Sequence, residues 1–138
     1  MGTVLRTDLA KTNKYWISKH RRLELTHFCL QYPEWEKAVN NAIFYPDMRT
    51  DTVKSSNKNM KDMTSTIAIK IESFTKNMDL VKKTCREADN EIYEWLFLGV
   101  TLGYSFNTLK TVYGIPCDKN MYYDRLKRFY FLLDMKRS

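Results

Sequence analysis

The sequence has few of the residues from which most enzyme active sites and metal sites are built. Its 138 residues include four glycines, three cysteines and two histidines. So few glycines leave no Gly-rich loop that could hold a phosphate, and the Gly-x-Ser-x-Gly motif of many hydrolases is absent. His20 and His27 are seven positions apart, too far to bind one metal ion without further ligands. We therefore expect neither catalysis nor a metal or cofactor.

Cysteines and long apolar runs are equally scarce. Cys29, Cys85 and Cys117 are odd in number and dozens of residues apart, which fits neither a disulfide framework nor a zinc site, so we expect small buried side chains. No apolar run approaches the roughly 20 residues that span a bilayer. Residues 1–9 lack the apolar core of a secretory signal. The expected location is the cytoplasm, with no membrane partner.

Apolar residues recur at helical spacing, and strand patterns of useful length are absent. The sequence therefore predicts an all-α fold of about six helices. We expect a flexible tail at residues 1–13 and an N-terminal helical hairpin at 14–44, divided near Pro33 because proline is favoured in the first turn of a helix. A polar linker is expected at 45–61. A central helix and a helix-turn-helix domain are expected at 62–138.

The clearest pattern predicts one long amphipathic helix from about Asp62 to Ala88. Its apolar residues are spaced alternately by four and three positions: Ile67, Ile71, Phe74, Met78, Val81 and Cys85. The stripe covers too few heptads to indicate a coiled coil by itself. Two interpretations stay open. The stripe packs on the C-terminal helices of the same chain, or its first five residues form the seam of a homodimer.

Two short helices are predicted after the long one. The first covers residues 90–103 and begins behind an N-cap at Asp89, and the glycine at its end suits the left-handed backbone of a helix terminus. The second covers residues 106–113 and buries Leu109 and Val112, which lie at helical spacing.

A third helix follows the turn Gly114-Ile115-Pro116, in which the proline prevents the preceding helix from continuing. It begins near Cys117 or Asp118. One stripe must face a core because apolar residues recur at steps of four, three and four: Tyr122, Leu126, Phe129 and Leu133. The three helices with their tight joints have the outline of a helix-turn-helix.

The other side of this third helix carries cations and hydrogen-bond donors: Lys119, Asn120, Tyr123, Lys127 and Arg128. A helix that is apolar behind and polar in front can lie in the major groove of DNA. We expect Lys119, Asn120 and Tyr123 nearest the base edges, and Lys127 and Arg128 on phosphates.

The net charge of +7 is distributed unevenly along the chain. Residues 89–116 carry one cation and three carboxylates, whereas residues 117–138 carry six and three. Only the third helix is therefore basic, as expected if it alone meets DNA, although many proteins have basic surfaces without a nucleic-acid partner. A second basic cluster is a candidate anchor for the DNA backbone: Lys19, His20, Arg21 and Arg22.

The segment at residues 109–129 resembles phage-encoded transcriptional regulators of the RinA and ArpU type. Gly114-Ile115 and Tyr122-Tyr123-Asp124-Arg125 stand where those regulators have a turn and a recognition helix like those of a sigma factor. Residues 18–35 also look like the N-terminal part of prophage proteins from Gram-positive bacteria. The sequence departs from the motif at Pro116-Cys117, where a Ser or Thr cap is usual, and Asp118 can substitute as cap.

The resemblance implies a small DNA-binding regulator, active in a bacterial host cell, that recruits or assists RNA polymerase. A second interpretation, a protein of a different functional class, also stays open. Such a protein would act by binding a host or phage protein, as an anti-CRISPR inhibitor does, because protein interfaces are also rich in aromatic residues and arginine.

Overall fold

The computed structural model describes residues 12–44 and 57–138, and its regular structure there is entirely helical. Six helices occur in these ranges: α1 (Lys19–Leu30), α2 (Tyr32–Phe44), α3 (Asn57–Ala88), α4 (Tyr93–Leu102), α5 (Phe106–Thr111) and α6 (Lys119–Lys136). The predicted all-α fold of about six helices is confirmed. None of the helices in the described ranges combines the length and the apolar character needed to cross a membrane.

The chain divides into two compact units whose bounds differ from the predicted domains. Unit one contains residues up to Gln31 and from Leu80 to Ser138, and unit two contains Tyr32–Asp79. The hairpin predicted at 14–44 is therefore split, because α1 belongs to unit one and α2 to unit two. Most of the predicted tail (1–13) and linker (45–61) lies outside the described residues. The part of the linker from Asn57 onward is already helical.

Side-chain caps determine where three helices of unit one begin. Ser18 precedes α1 and its hydroxyl accepts from the backbone N–H of Arg21, while Ser105 accepts in the same way before α5. Asp118 accepts from the N–H of Met121 at 2.8 Å and starts α6. These oxygens satisfy amides that have no partner inside the helix. The predicted substitution of Asp118 for a Ser or Thr cap is what the structure contains.

Two predicted helices are shorter than expected. The first begins at Tyr93 because Asp89 accepts hydrogen bonds from the N–H groups of Glu91 and Ile92 and so closes a turn ahead of the helix. The second ends at Thr111. Val112, predicted to be buried with Leu109, is 68% exposed, because the chain has left the helix and the side chain no longer follows the core-facing stripe.

Unit one has a single apolar core to which all of its helices contribute. The side chains that are 2% exposed or less include Leu25, Cys29, Val81, Cys85, Ile92, Leu96, Val100, Leu109, Ile115, Tyr122, Phe129 and Leu133. Tyr122, Phe129 and Leu133 belong to the stripe predicted for the third helix, and Leu126 of that stripe is half-buried.

The long helix α3 is buried mainly at its C-terminal end. Val81 and Cys85 are fully buried in unit one, as expected if the stripe packs within the chain. The other four residues of the stripe belong to unit two and are half-buried: Ile67, Ile71, Phe74 and Met78. A homodimer seam at these residues stays a prediction.

Gly99 allows α4 and α6 to approach closely. A Cβ added at this position would lie 2.2 Å from the hydroxyl oxygen of Tyr122. Real Cβ atoms do not come so near to another heavy atom, and Tyr122 is buried and cannot swing away. Residue 99 must therefore be a glycine for Tyr122 to fill the space between the two helices.

Gly99→Ala tests this contact. We expect the free energy of unfolding to fall by about 1–3 kcal/mol, as for overpacked cores. In a Tyr122→Phe background the nearest ring carbon is 3.5 Å away, an ordinary contact. There alanine should be neutral or stabilising by up to about 1 kcal/mol, because it favours a helix more than glycine does. Urea denaturation of the four proteins measures both values, and equal losses in the two backgrounds would contradict the contact.

Asp89 joins the turn before α4 to α6. Its side chain is 9% exposed and accepts from the Arg125 guanidinium at 2.8 Å. Burial opposes ionisation of Asp89, but hydrogen bonds from the N–H groups of Ile92 and Glu91 and from Arg125 outweigh it and lower the pKa of the carboxyl. The ionised carboxylate is therefore more stable in the folded chain than in the unfolded one.

The pH dependence of Asp89→Asn follows from this shift. Near neutral pH we expect the free energy of unfolding to fall by about 1–2 kcal/mol, because charge-assisted hydrogen bonds are lost. Because the pKa of Asp89 is lower in the folded chain, its ionised carboxylate stabilises the fold at pH values above the unfolded pKa of about 3.9. This stabilisation is lost as the pH falls below that value and through the pKa of the folded chain. The two proteins should therefore converge in acid. Asp124→Asn is the matched control: Asp124 also accepts from Arg125 but is 47% exposed, so little change is expected.

Candidate functional site: a basic, aromatic cleft beside α6

A cleft of about 580 Å³ lies in unit one against the N-terminal half of α6. Its walls come from α1, from the corner between α4 and α5, and from α6. The volume falls within the range of about 300–1,000 Å³ that is usual for small-ligand sites.

Arg22 of α1 lines this cleft although its residue is only 9% exposed. Its guanidinium carbon lies over the ring of Tyr130, 4.1 Å from the ring centroid. Burial lowers the pKa of Arg22, and the opposing influences come from Tyr130, Tyr122 and Cys29 rather than from a carboxylate. An arginine keeps its charge under such conditions. The cleft therefore contains a buried positive charge that no carboxylate of the described residues neutralises.

Two further cations line the cleft, and no carboxylate of the described ranges does. Lys119 stands at the start of α6, and Lys127 lies eight residues later, about 80° further around the helix, where it also lines the cleft. Together with Arg22 they give the cleft three positive charges without an Asp or Glu among its lining residues. The electrostatic potential of such a concave surface favours an anion.

Aromatic rings and hydroxyls supply most of the remaining lining. The rings belong to Tyr104, Phe106, Tyr122, Tyr123 and Tyr130, and Thr26 and Ser105 contribute hydroxyls. The Tyr104 ring stacks on that of Tyr113, with centroids 5.4 Å apart and planes 20° apart. Burial raises the pKa values of Tyr122 and Tyr130, so both are neutral phenols. The cleft can thus offer flat apolar faces and neutral donors beside its cations.

The structure brings only part of the predicted α6 surface together. Lys119, Tyr123 and Lys127 line the cleft, whereas Asn120 and Arg128 are not among its lining residues. Lys119 and Asn120 are exposed, and the other three are half-buried. At 100° per residue, Arg128 lies on the opposite side of the helix from Lys119. Three of the five residues therefore line a concave surface, Asn120 stands outside that lining, and Arg128 faces away, so the five do not form a single ridge.

The basic cluster predicted on α1 is not a continuous exposed surface. Arg22 was expected to contact DNA phosphates but is buried, because it shares the core-facing side of α1 with Leu25 and Cys29. Arg21 is half-buried and forms ion pairs with Glu24 and, at 2.6 Å, with Asp134. Carboxylates thus largely neutralise it. Lys19 is exposed at the first position of α1 and remains available as a surface cation.

Sequence reasoning missed the α4–α5 corner as a part of the site. Tyr104 and Ser105 lie between α4 and α5, and Phe106 is the first residue of α5, where the sequence predicts only a turn and a helix start. The burial of Arg22 could have been predicted from its spacing. Arg22 lies three residues before Leu25 and seven before Cys29, which places the three on one face of a helix. The run of neighbouring cations concealed this periodicity.

None of the three cysteines is among the lining residues of the cleft. Cys29, Cys85 and Cys117 are buried and unpaired with one another, which confirms the predicted small core residues. Burial raises the pKa of Cys29 to about 12 and also raises the pKa values of Cys85 and Cys117. Within the described part of the chain, no group of three or more His, Cys, Asp or Glu side chains could hold a metal ion.

No protein-family model matches the chain, and no significant similarity to a curated protein or to a solved structure was found.

The unneutralised charge of Arg22 leads to an expectation about stability. Arg22→Met keeps the unbranched stem, removes a buried charge that has no carboxylate partner, and loses one cation–π contact. We expect the free energy of unfolding to change by no more than about 1 kcal/mol in either direction. Urea denaturation checks this. A loss above about 3 kcal/mol, the scale on which breaking a buried ion pair destabilises a fold, would assign Arg22 a structural role.

Proposed function

We propose that this protein binds double-stranded DNA through the exposed N-terminal turn and outer face of α6 and acts as a transcriptional regulator of the phage type. The observation that carries the proposal is the exposure of Lys119 and Asn120 directly behind the Asp118 cap. In helix-turn-helix proteins the first turn of the recognition helix meets the base edges.

The chemistry of these side chains suits the two tasks of a DNA-binding helix. An asparagine amide can form two hydrogen bonds with an adenine edge, and a lysine can donate to guanine acceptors. Lys127 and Arg128 lie further along α6, where cations contact phosphates without reading sequence. Lys19 adds a cation at the start of α1. Homodimerisation through α3 would present two copies of α6, and half-sites of such dimers are about 34 Å apart.

Protein binding is the second candidate function, and one surface favours it. Val112 and Tyr113 are 68% and 41% exposed, and Tyr113 stacks on Tyr104 to form a flat apolar surface at the α4–α5 corner. Exposed aromatic surfaces are common at the centres of protein interfaces. This function differs from the first in that it requires no preference among DNA duplexes.

The DNA proposal is tested with duplexes selected from a randomised pool against the whole protein. Anisotropy titrations of the selected duplex and of a shuffled one give the specificity, and repeating them over a range of salt gives the number of phosphate contacts. Asn120→Ala should relax the preference for the selected duplex by about 1–3 kcal/mol at one base pair. Lys127→Ala should weaken both duplexes alike and lower the salt slope by about one.

Lys83→Ala is the control because Lys83 is an exposed lysine of α3 in the same unit, outside the cleft and α6. It should leave the specificity unchanged. Feeble and equal binding of all duplexes at moderate salt would contradict DNA recognition and favour the second candidate.

A further inference from the structure

The cleft beside α6 has a composition that duplex binding by the outer face of α6 does not explain. Neither Asn120 nor Arg128 lines it, whereas Arg22, which is too buried to reach a duplex backbone, does. Burying a charge without a compensating partner is costly. The position of the Arg22 charge at a cleft of ligand size therefore suggests a role other than duplex binding.

We propose that this cleft binds a nucleotide, with the phosphate at Arg22 and the base stacked against the aromatic lining. The inference goes beyond duplex recognition and does not depend on it. The nucleotide has two possible sources, a free mononucleotide or an unpaired nucleotide within a DNA strand. Both present the same phosphate and the same planar ring.

The phosphate is matched by the cations. A guanidinium that lies over a ring, as that of Arg22 lies over Tyr130, keeps its N–H groups in its own plane, where they can donate two parallel hydrogen bonds to phosphate oxygens. Lys119 and Lys127 line the same cleft and can neutralise the remaining charge. No Asp or Glu of the described part of the chain lines the cleft, so none of them repels an anion there.

The base is matched by the aromatic part of the lining. Tyr104 is held by its stacking on Tyr113, and Phe106 lies 5.7 Å from Tyr122, measured between ring centroids. Stacking of a base on such side chains tightens binding by about fivefold to 150-fold per base and tolerates every sequence, because every base has a flat face. Inorganic phosphate would leave these surfaces uncovered, and a nucleoside would leave Arg22 without a partner.

The binding test uses isothermal titration calorimetry of the full chain with adenosine 5′-monophosphate, adenosine and inorganic phosphate. We expect the mononucleotide to bind at least about fivefold more tightly than either part alone, since stacking corresponds to about fivefold or more and a charge-assisted hydrogen bond to about tenfold or more. Arg22→Lys keeps the charge but loses the paired donors, so it should weaken the mononucleotide about tenfold and leave adenosine unchanged.

Lys127→Gln is the second variant and does not depend on a core position. It should weaken the mononucleotide about threefold to tenfold, because Lys127 is half-buried and glutamine loses the charge but keeps a hydrogen-bond donor. Lys83→Gln, outside the cleft, should change nothing. Circular dichroism melting establishes that each variant is folded. If Arg22→Lys does not fold, the Lys127→Gln result and the comparison of the three ligands decide the question.

A 5′-phosphorylated oligothymidylate of four residues distinguishes the two sources. Tighter binding of this strand than of thymidine 5′-monophosphate assigns the cleft to a nucleotide within a strand, and equal or weaker binding assigns it to a free nucleotide. Mononucleotide affinity equal to that of adenosine, or unaffected by both cleft variants, would overturn the proposal. Failure of nucleotide binding would not contradict selective duplex binding, because Asn120 lies outside the cleft lining. Likewise, failure of selective duplex binding would not contradict the nucleotide site if nucleotide binding is intact.

Discussion

The placement of the buried Arg22 guanidinium over the ring of Tyr130 gives the cleft the fixed positive charge on which its preference for an anion depends. This contact joins α1 to α6, and the ion pair between Arg21 and Asp134 holds the same two helices at a neighbouring point. Burial of a charge is costly, and an aromatic face compensates for only a part of that cost. Two adjacent arginines thus differ in role: Arg21 is neutralised by carboxylates, while Arg22 is left as a fixed positive charge at a concave surface.

Much of unit one could be predicted from the sequence because its signals are local. Asp118 and Gly103 mark helix ends through side-chain and backbone preferences that act within a few residues. The repeat of apolar positions in α6 indicates the buried side before any partner is known. Val112 shows the limit of such signals. It lies at the right spacing from Leu109, but periodicity has meaning only while the helix continues, and α5 ends one residue earlier.

The cleft could not be predicted in the same way, because its parts are distant in sequence. Thr26, Tyr104 and Lys127 become neighbours only when α1, α4 and α6 pack together. Gly99 is a second example. It is required because the Tyr122 hydroxyl lies beside it, whereas the sequence alone shows only a glycine in an apolar helix, which predicts a less stable helix. A run of cations is also misleading, because it suggests that every member is exposed. In the run at residues 19–22, Arg22 faces the core.

The duplex-binding surface of α6 and the cleft share cations, so binding at one surface would affect binding at the other. Lys119 belongs both to the exposed first turn of α6 and to the cleft, and Lys127 lies on the cleft side of the same helix. A phosphate held by these lysines would reduce the charge that α6 presents to a duplex. Binding at one surface would then weaken binding at the other, and by thermodynamic linkage the effect would be equal in both directions. An unpaired nucleotide of the bound DNA is the exception, because it would reach the cleft and the outer face of α6 within one complex and add its contacts to those of the duplex.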